Sequence, residues 1–268
     1  MINNNLVFLK LGGAAITDKS NPRTPLTENI AQLANQITRA VREKPDMQIL
    51  IGHGSGSFGH YSGQKHGTRD GVENREGWRG FTEVWKDARD LNELVLHAFQ
   101  AAGLPVIAFP PSAWLTTHNR IQASKQITPI LSALNKGLIP VVNGDVIFDS
   151  AIGGTILSTE EVFSILVEEA QPYRIILASR EPGIWEDYPT NTRLADHITP
   201  QILQHSSNSV HGSAGMDVTG GMAKKVTLMM AILERHPDTQ ISILSGMDTD
   251  SVYKALTDKP SGTLLHSS

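Results

Sequence analysis

Two glycine-rich turns and three lysines are the residues of this sequence whose types and spacing could do chemistry. Residues 54–59 read Gly-Ser-Gly-Ser-Phe-Gly and are followed by His60. Glycines let backbone N–H groups approach an anion closely, and a helix N-terminus after such a loop favours negative charge. Phosphoryl transfer also needs cations that offset charge in the transition state. Lys10, Lys19 and Lys225 lie beside strand ends and glycine turns, so the pattern favours a phosphate-binding site.

The glycine loop has two other interpretations. It matches the G-x-G-x-x-G pattern of dinucleotide sites, with Glu73 nineteen residues beyond Gly54. A dinucleotide site needs its acidic residue at the end of the next strand, and residues 61–80 contain no strand pattern. The other alternative is a turn whose glycines serve only packing. A phosphate site is favoured because it also explains the Lys10-Leu-Gly-Gly turn, and the absence of a G-x-x-x-x-G-K-[ST] motif excludes a P-loop kinase.

The composition restricts the partners of the chain. It has 268 residues, of which 40% are hydrophobic and 19% charged, and its net charge is −4. We therefore expect no nucleic-acid partner and no membrane partner, because either would need a basic face. The chain has no cysteine, which excludes thiolate metal sites, and no metal ligands are predicted. No apolar stretch is long enough to span a membrane and the N-terminus lacks the pattern of a signal peptide, so a cytoplasmic protein is expected.

Alternating strand and helix patterns must position these residues. Thr27 is expected to cap the helix between the first two strands. Residues 61–80 lack periodicity and predict a mobile surface segment, whereas residues 81–99 form the clearest amphipathic helix. The alternation predicts one doubly wound α/β domain. Further strands are expected at residues 6–11, 48–51, 105–109, 139–142, 174–178 and 241–244, a hairpin at 146–157, and helices at 160–170 and 223–235.

Four blocks of sequence carry a resemblance to a known family. They are Lys-Leu-Gly-Gly-Ala-Ala-Ile-Thr-Asp-Lys at residues 10–19, Gly-His-Gly-Ser-Gly-Ser-Phe-Gly-His at 52–60, Asn-Gly-Asp-Val-Ile-Phe-Asp at 143–149 and Asp-Val-Thr-Gly-Gly-Met-Ala-Lys-Lys at 217–225. In this order they resemble the isopentenyl phosphate kinases, a branch of the amino acid kinase superfamily. The resemblance implies an α/β fold with an open, mostly parallel central sheet sandwiched by helices. It also implies a single domain over residues 1–268, with an acceptor-substrate lobe over about 1–170 and a nucleotide lobe over about 171–268.

The resemblance further implies an activity and residue roles. The reaction would be ATP-dependent phosphorylation of isopentenyl phosphate to isopentenyl diphosphate, with Mg²⁺, in a homodimer. Lys10 and Lys225 would contact the ATP phosphates, Lys19 the transferred group and His60 the acceptor phosphate. An acceptor that is already a phosphate needs no general base. Positioning of the two substrates and neutralisation of their phosphate charge can therefore account for the rate of transfer. Other implied residues are Gly12, Gly13, Ala14, Ser55, Arg180, Gly183, Trp185 and Gly221 for ATP, and Gly54, Gly59 and Thr159 for the substrate.

An isopentenyl tail needs a dry, apolar slot. The amphipathic helix places Phe81, Val84, Trp85 and Ala88 on one stripe that could line it, and the alternative is that this stripe is core.

The chain departs from the family pattern at three positions. Glu160 follows Ser-Thr where the family usually has Ser-Gly-Asp, Arg180 replaces an acidic residue, and Ala14 stands where serine is frequent. Two alternative functions stay open beside the main one. They are a kinase of another small phosphate or phosphonate such as fosfomycin, and a non-catalytic member of the fold that binds nucleotide or phosphate.

Overall fold

The computed structural model describes residues 3–203, 220–259 and 262–267 of the chain. Its strands are β1 Asn3–Leu11, β2 Thr17–Asp18, β3 Thr24–Pro25, β4 Gln48–His53, β5 Val106–Ala108, β6 Leu115–His118, β7 Ile121–Lys125, β8 Ile139–Asn143, β9 Asp145–Asp149, β10 Gly153–Leu157, β11 Pro172–Ser179, β12 His197–Ile198, β13 Gln240–Ser245 and β14 Thr263–Leu265. Its main helices are α1 Gly13–Ile16, α2 Thr27–Glu43, α3 Gly56–His66, α4 Arg75–Ala101, α5 Thr128–Asn135, α6 Thr159–Ala170, α7 Gly220–Arg235 and α8 Ser251–Leu256.

In the described part of the chain, the central sheet has eight strands in the order β12-β14-β13-β11-β1-β4-β8-β5. All neighbouring pairs are parallel except β13 and β14. Lys10 of β1 pairs with Gly52 of β4 and with Leu177 of β11. Because parallel strands end at the same edge of a sheet, the turns after β1, β4 and β11 meet there, as expected for ligand sites in open α/β folds. The predicted mostly parallel sheet is confirmed.

Alternate residues of β1 enter two different cores. Leu6 and Phe8 pack in one apolar cluster with α5, α6 and α7, and Val7, Leu9 and Leu11 pack in the other with α2, α4 and α8. Full burial of each such side chain stabilises the fold by about 1.5–3 kcal/mol. Side chains alternate between the two faces of a strand, so Lys10 points to the same face as Leu6 and Phe8. Helix α6 covers this face.

A second sheet, in the order β10-β9-β6-β7, contains the hairpin that the sequence predicts over residues 146–157. Its edge packs beside α4 through Val146 and Ile156. Among the helices that the structure describes, none is both long enough and apolar enough to cross a membrane.

The prediction of a mobile segment over residues 61–80 is wrong. Helix α3 continues to His66 and α4 begins at Arg75, nine-tenths or more of Thr68 and Val72 is buried, and the N–H of Val72 donates to the carbonyl of Ile152. This glycine-rich stretch has no apolar stripe because its ordering contacts come from the hairpin β9–β10 and from α4. The hairpin is distant in sequence, whereas α4 begins within the stretch itself, at Arg75.

The predicted cap at Thr27 is also wrong. Thr27 is the first residue of α2, Leu26 occupies the N-cap position, and none of the side chains that the structure describes caps this end. Instead, the Asn29 side-chain amide donates to the carbonyl of Ala15 at 2.7 Å and ties the helix start to the turn after β1.

Candidate active site

The two glycine turns touch each other through their backbones. A Cβ atom on Gly13 would lie 2.6 Å from the backbone nitrogen of Gly56, and one on Gly54 would lie 2.9 Å from the nitrogen of Gly13. Gly56 has a φ of +50°, which favours glycine. The close approach brings the ends of β1 and β4 together, and a larger side chain has no room between them.

Helix α3 begins inside the second glycine turn, at Gly56. The N–H of Ser57 donates to Thr17 Oγ1, the N–H of Gly59 to the Ser55 carbonyl, and the N–H of Gly54 to the Leu11 carbonyl. The predicted substrate contacts of Gly54 and Gly59 therefore cannot use these N–H groups unless the bonds change. Their roles stay predictions.

Lys10 forms a buried ion pair with Glu160 at the first turn of α6. Its Nζ lies 2.6 Å from Glu160 Oε1, and the two side chains are 5% and 9% exposed. Burial alone would raise the pKa of Glu160, but the charge and hydrogen bond of Lys10, a backbone hydrogen bond and the charge of Lys225 together hold that pKa below its usual value. Glu160, which departs from the family pattern, is thus the carboxylate that holds Lys10.

Lys225 lies near this pair from the first turns of α7. Burial, together with the charges of Lys10 and Lys19, lowers the pKa of Lys225 to about 8, whereas the charges of Glu160 and Glu181 oppose the shift. The lysines from three separate parts of the sequence therefore act on one another. A site with this excess of positive charge is suited to an anion such as a polyphosphate.

His60 faces the same lysines from α3. Its side chain reaches solvent, yet the protein around the ring lowers its pKa by desolvation, and the charges of Lys19, Lys10 and Arg69 lower it further. The ring is therefore mainly neutral at neutral pH and can donate one N–H to an acceptor. The structure thus brings together all four residues predicted to be catalytic.

The predicted nucleotide contacts lie after β11 and at the start of α7. Arg180 is exposed and acts electrostatically on Asp18, and the Trp185 indole donates to Glu181 at 3.0 Å. A Cβ on Gly183 would meet Thr263 Oγ1 at 2.6 Å, so this glycine has a packing role whether or not it also binds ATP.

The remaining nucleotide predictions lie at the same edge of the sheet. Gly12 donates its N–H to the Ala178 carbonyl at 2.7 Å, and Ala14 lies in the short helix α1. A Cβ on Gly221 would meet none of the described atoms within 4 Å. The first residues of the fourth block, 217–219, lie outside the described residues.

The two aromatic residues predicted for the substrate tail lie in different surroundings. Phe81 is buried against Val84 and Val146, and its ring centroid lies 5.2 Å from those of Trp78 and Phe148.

Trp85 is 39% exposed and lines a separate cleft of about 230 Å³ with Asn143 and Asp145.

Thr159 is buried and donates to the carbonyl of His53 at 2.6 Å, which ties α6 to the end of β4.

Sequence reasoning missed a set of charged residues beside the lysines. Glu161 forms ion pairs with Arg69, Arg120 and Lys224. The available signal was Ser158 followed three residues later by Glu161, the pattern of a capping box, which the structure contains. Among the described residues no group of three or more acidic or histidine side chains could hold a metal ion.

The sequence matches a family model, that of the amino acid kinase family, over residues 5–245. The chain belongs to the amino acid kinase family. Among its relatives, the isopentenyl phosphate kinase of Methanocaldococcus jannaschii is 27% identical over 266 residues, covering 96% of this chain and 97% of the relative. The isopentenyl phosphate kinase of Arabidopsis thaliana is 25% identical over 284 residues, covering 87% and 86%.

A solved structure of an isopentenyl phosphate kinase agrees with this amino acid kinase fold. It superposes with a TM-score of 0.81 at 26% identity and covers 97% of this chain and 99% of the other. The predicted resemblance, the predicted fold and the predicted enzyme class, a phosphotransferase, are confirmed by these relatives.

Proposed function

We propose that this chain is an ATP-dependent kinase that phosphorylates isopentenyl phosphate to isopentenyl diphosphate. The observation that carries the proposal is the convergence of Lys10, Lys19, Lys225 and His60 on two touching glycine turns. The similarity to isopentenyl phosphate kinases over nearly the whole chain supports the choice of acceptor.

In this proposal each lysine neutralises the negative charge of a particular phosphate group. Lys10 and Lys225 bind the ATP phosphates, and Lys19 neutralises the group in transfer. An oxygen of the acceptor phosphate attacks the γ-phosphorus of ATP, the bond to the β-phosphate oxygen breaks, and ADP leaves. Because the attacking oxygen is already ionised, no residue has to remove a proton, and positioning with charge neutralisation carries the rate.

Mg²⁺ enters the proposal only as a companion of the nucleotide. Mg²⁺ usually keeps several waters and binds substrate phosphates with one or two carboxylates. Glu160 is engaged with Lys10 in the described part of the chain, and no acidic cluster lies there to form a cage. The phosphates of ATP would hold the ion, and its chemistry there would be to neutralise phosphate charge.

The substrate tail would pack against the apolar cluster around Phe81. This cluster of Val72, Phe81, Val84 and Val146 packs between α4 and the hairpin β9–β10. The N-terminal lobe, about residues 1–170, would thus bind the acceptor, and residues from about 171 onward would bind ATP together with Lys10, Gly12, Gly13, Ala14 and Ser55.

A homodimer in the cytoplasm completes the proposal. Edge strand β5 leaves Ile107 40% exposed, and the neighbouring helix α4 leaves Trp85 and Leu94 exposed. A second copy of this chain would cover these apolar side chains. Light scattering of the purified protein tests this, with a dimer mass expected and a monomer mass contradicting it.

A coupled assay of ADP release tests the activity, with isopentenyl phosphate, dimethylallyl phosphate and fosfomycin as acceptors. Turnover is expected with isopentenyl phosphate. Turnover with fosfomycin alone would make this chain a phosphonate kinase. No turnover with any of the three would contradict the proposal and leave a nucleotide- or phosphate-binding protein of the same fold.

A further inference from the structure

A second group of cations lies next to the proposed catalytic lysines and shares one carboxylate. Glu161 Oε1 lies 2.9 Å from Arg69 Nη2, 3.5 Å from Arg120 Nη2 and 3.5 Å from Lys224 Nζ. These cations come from the turn after α3, the turn between β6 and β7, and the start of α7. Three positive charges on one carboxylate leave an excess of two, which favours an anion nearby.

Glu161 is itself held rigidly by its helix. The N–H of Ser158 donates to Glu161 Oε2 at 2.6 Å, and the N–H of Glu161 donates to Ser158 Oγ at 3.3 Å, which completes the capping box of α6. The preceding residue, Glu160, holds Lys10. Adjacent carboxylates on one helix turn therefore position two separate cations at the site.

Arg69 is held by both its backbone and its side chain. Its carbonyl accepts hydrogen bonds from the buried Thr155 hydroxyl and from Arg120 Nη1, each at 2.8 Å. Its Nη2 donates to both oxygens of Glu161, at 2.9 and 3.2 Å. Within residues 3–203, 220–259 and 262–267, Nε and Nη1 of this guanidinium make no hydrogen bond, so these donors remain for a ligand.

Arg69 lies near His60, the residue proposed to hold the acceptor phosphate. The charge of Arg69 acts on the His60 ring together with those of Lys10 and Lys19. The side chain is 36% exposed, so a ligand can reach it. Arginine suits such a site because its planar fork matches the geometry of phosphate oxygens.

We propose that Arg69 is a further substrate-binding residue, whose guanidinium binds the acceptor phosphate beside His60 while Glu161 holds it in place. This inference rests on the proposed function in one respect, because it takes the acceptor to carry a phosphate. Glu161 acts as a positioning residue, and Arg120 and Lys224 offset its negative charge so that the site still attracts an anion.

Steady-state kinetics of Arg69→Gln tests the assignment. Loss of a charge-assisted hydrogen bond should raise the KM for isopentenyl phosphate about tenfold to a hundredfold and change the KM for ATP less than about twofold. The KM of Arg69→Lys for isopentenyl phosphate should lie between those of the wild type and of Arg69→Gln, because lysine keeps the positive charge but lacks the planar fork of donors. The control is Arg79→Gln, which removes an exposed arginine from α4 and should change neither constant.

Binding of inorganic phosphate separates this inference from the proposed activity. The histidine NMR signals of the protein with saturating ADP report phosphate bound near His60 whether or not isopentenyl phosphate is a substrate. Arg69→Gln should weaken that binding at least tenfold and raise the pKa of His60, because a repelling charge is lost. Unchanged phosphate affinity with an unchanged acceptor KM would overturn the assignment. An equal rise of both KM values would also overturn it, because a structural residue would affect both substrates.

Discussion

The Nζ atom of Lys10 lies 2.6 Å from Oε1 of Glu160, and this buried pair joins the end of β1 to the first turn of α6. A lysine at the centre of a sheet would otherwise be an unpaired buried charge. The pair keeps Lys10 in place beside the glycine turns, where the proposed reaction needs a fixed cation.

Glu160→Gln should destabilise the fold by about 3–5 kcal/mol, because it leaves the Lys10 charge buried without its partner. Denaturant unfolding measures this at pH 7. Since the folded-state pKa of Glu160 lies below its ordinary value of 4.5, the stability that this carboxylate contributes is present above that pH and lost as the pH falls through the folded pKa. The difference between the two proteins should therefore shrink in acid.

The control for this variant is Glu93→Gln, which breaks the exposed pair of Glu93 with Arg89. Exposed i,i+4 pairs contribute at most about 0.5 kcal/mol, so its stability should hardly change. Equal effects of the two substitutions would contradict the role given to Glu160.

Gly13→Ala should destabilise the protein by about 1–3 kcal/mol and abolish turnover, because its Cβ would lie 2.6 Å from a backbone nitrogen that cannot move alone. Gly221→Ala is the matched variant. Its Cβ meets no described atom, so its stability should be kept, and a raised KM for ATP is expected if ATP phosphates lie there. Thermal unfolding and kinetics separate the two outcomes, and a fully active Gly13→Ala would contradict the close contact of the turns.

Lys225→Met should raise the melting temperature at pH 7 while removing activity. Burial and neighbouring lysines lower the pKa of Lys225 from 10.5 to about 8, so its charged form is disfavoured in the fold. Between these two values the unfolded chain binds more protons, and wild-type stability should rise with pH. The advantage of the methionine variant should therefore shrink above pH 8. A lower melting temperature for the variant at pH 7 would contradict this reasoning.

Much of the fold was predictable because its signals are local. The apolar runs of the parallel strands and the glycines that follow them lie within a few residues of each other, and they place Lys10 and Gly54 at strand ends. The cluster around Glu161 was not predictable in the same way. Arg69, Arg120 and Lys224 are far apart in sequence, and only the tertiary fold brings them together at Glu161 of α6.

The apolar stripe of α4 shows a second limit of sequence reasoning. Phe81 and Trp85 are one helical turn apart, so periodicity assigns them to one face. In the structure the two residues of this face have different neighbours. The hairpin β9–β10 covers Phe81, whereas Trp85 borders a cleft near β5. The helix pattern cannot specify which element lies opposite each residue.

Phe81→Leu should therefore raise the KM for isopentenyl phosphate more than Trp85→Ala does, because only Phe81 lies in the apolar cluster proposed for the tail. The KM for ATP should be unchanged in both variants. Initial-rate kinetics with each substrate varied measures this. A larger effect of Trp85→Ala on the acceptor would place the tail in the cleft beside Trp85 instead.

The central claim is that His60 and the three lysines form one site that transfers phosphate from ATP to an acceptor phosphate. The most direct measurement is ADP release with isopentenyl phosphate by the wild-type protein and by His60→Ala, with ATP affinity measured separately by calorimetry. We expect turnover by the wild type, loss of most activity in the variant and nearly unchanged ATP affinity. Wild-type levels of turnover in His60→Ala, or a collapse of its ATP affinity, would contradict the account.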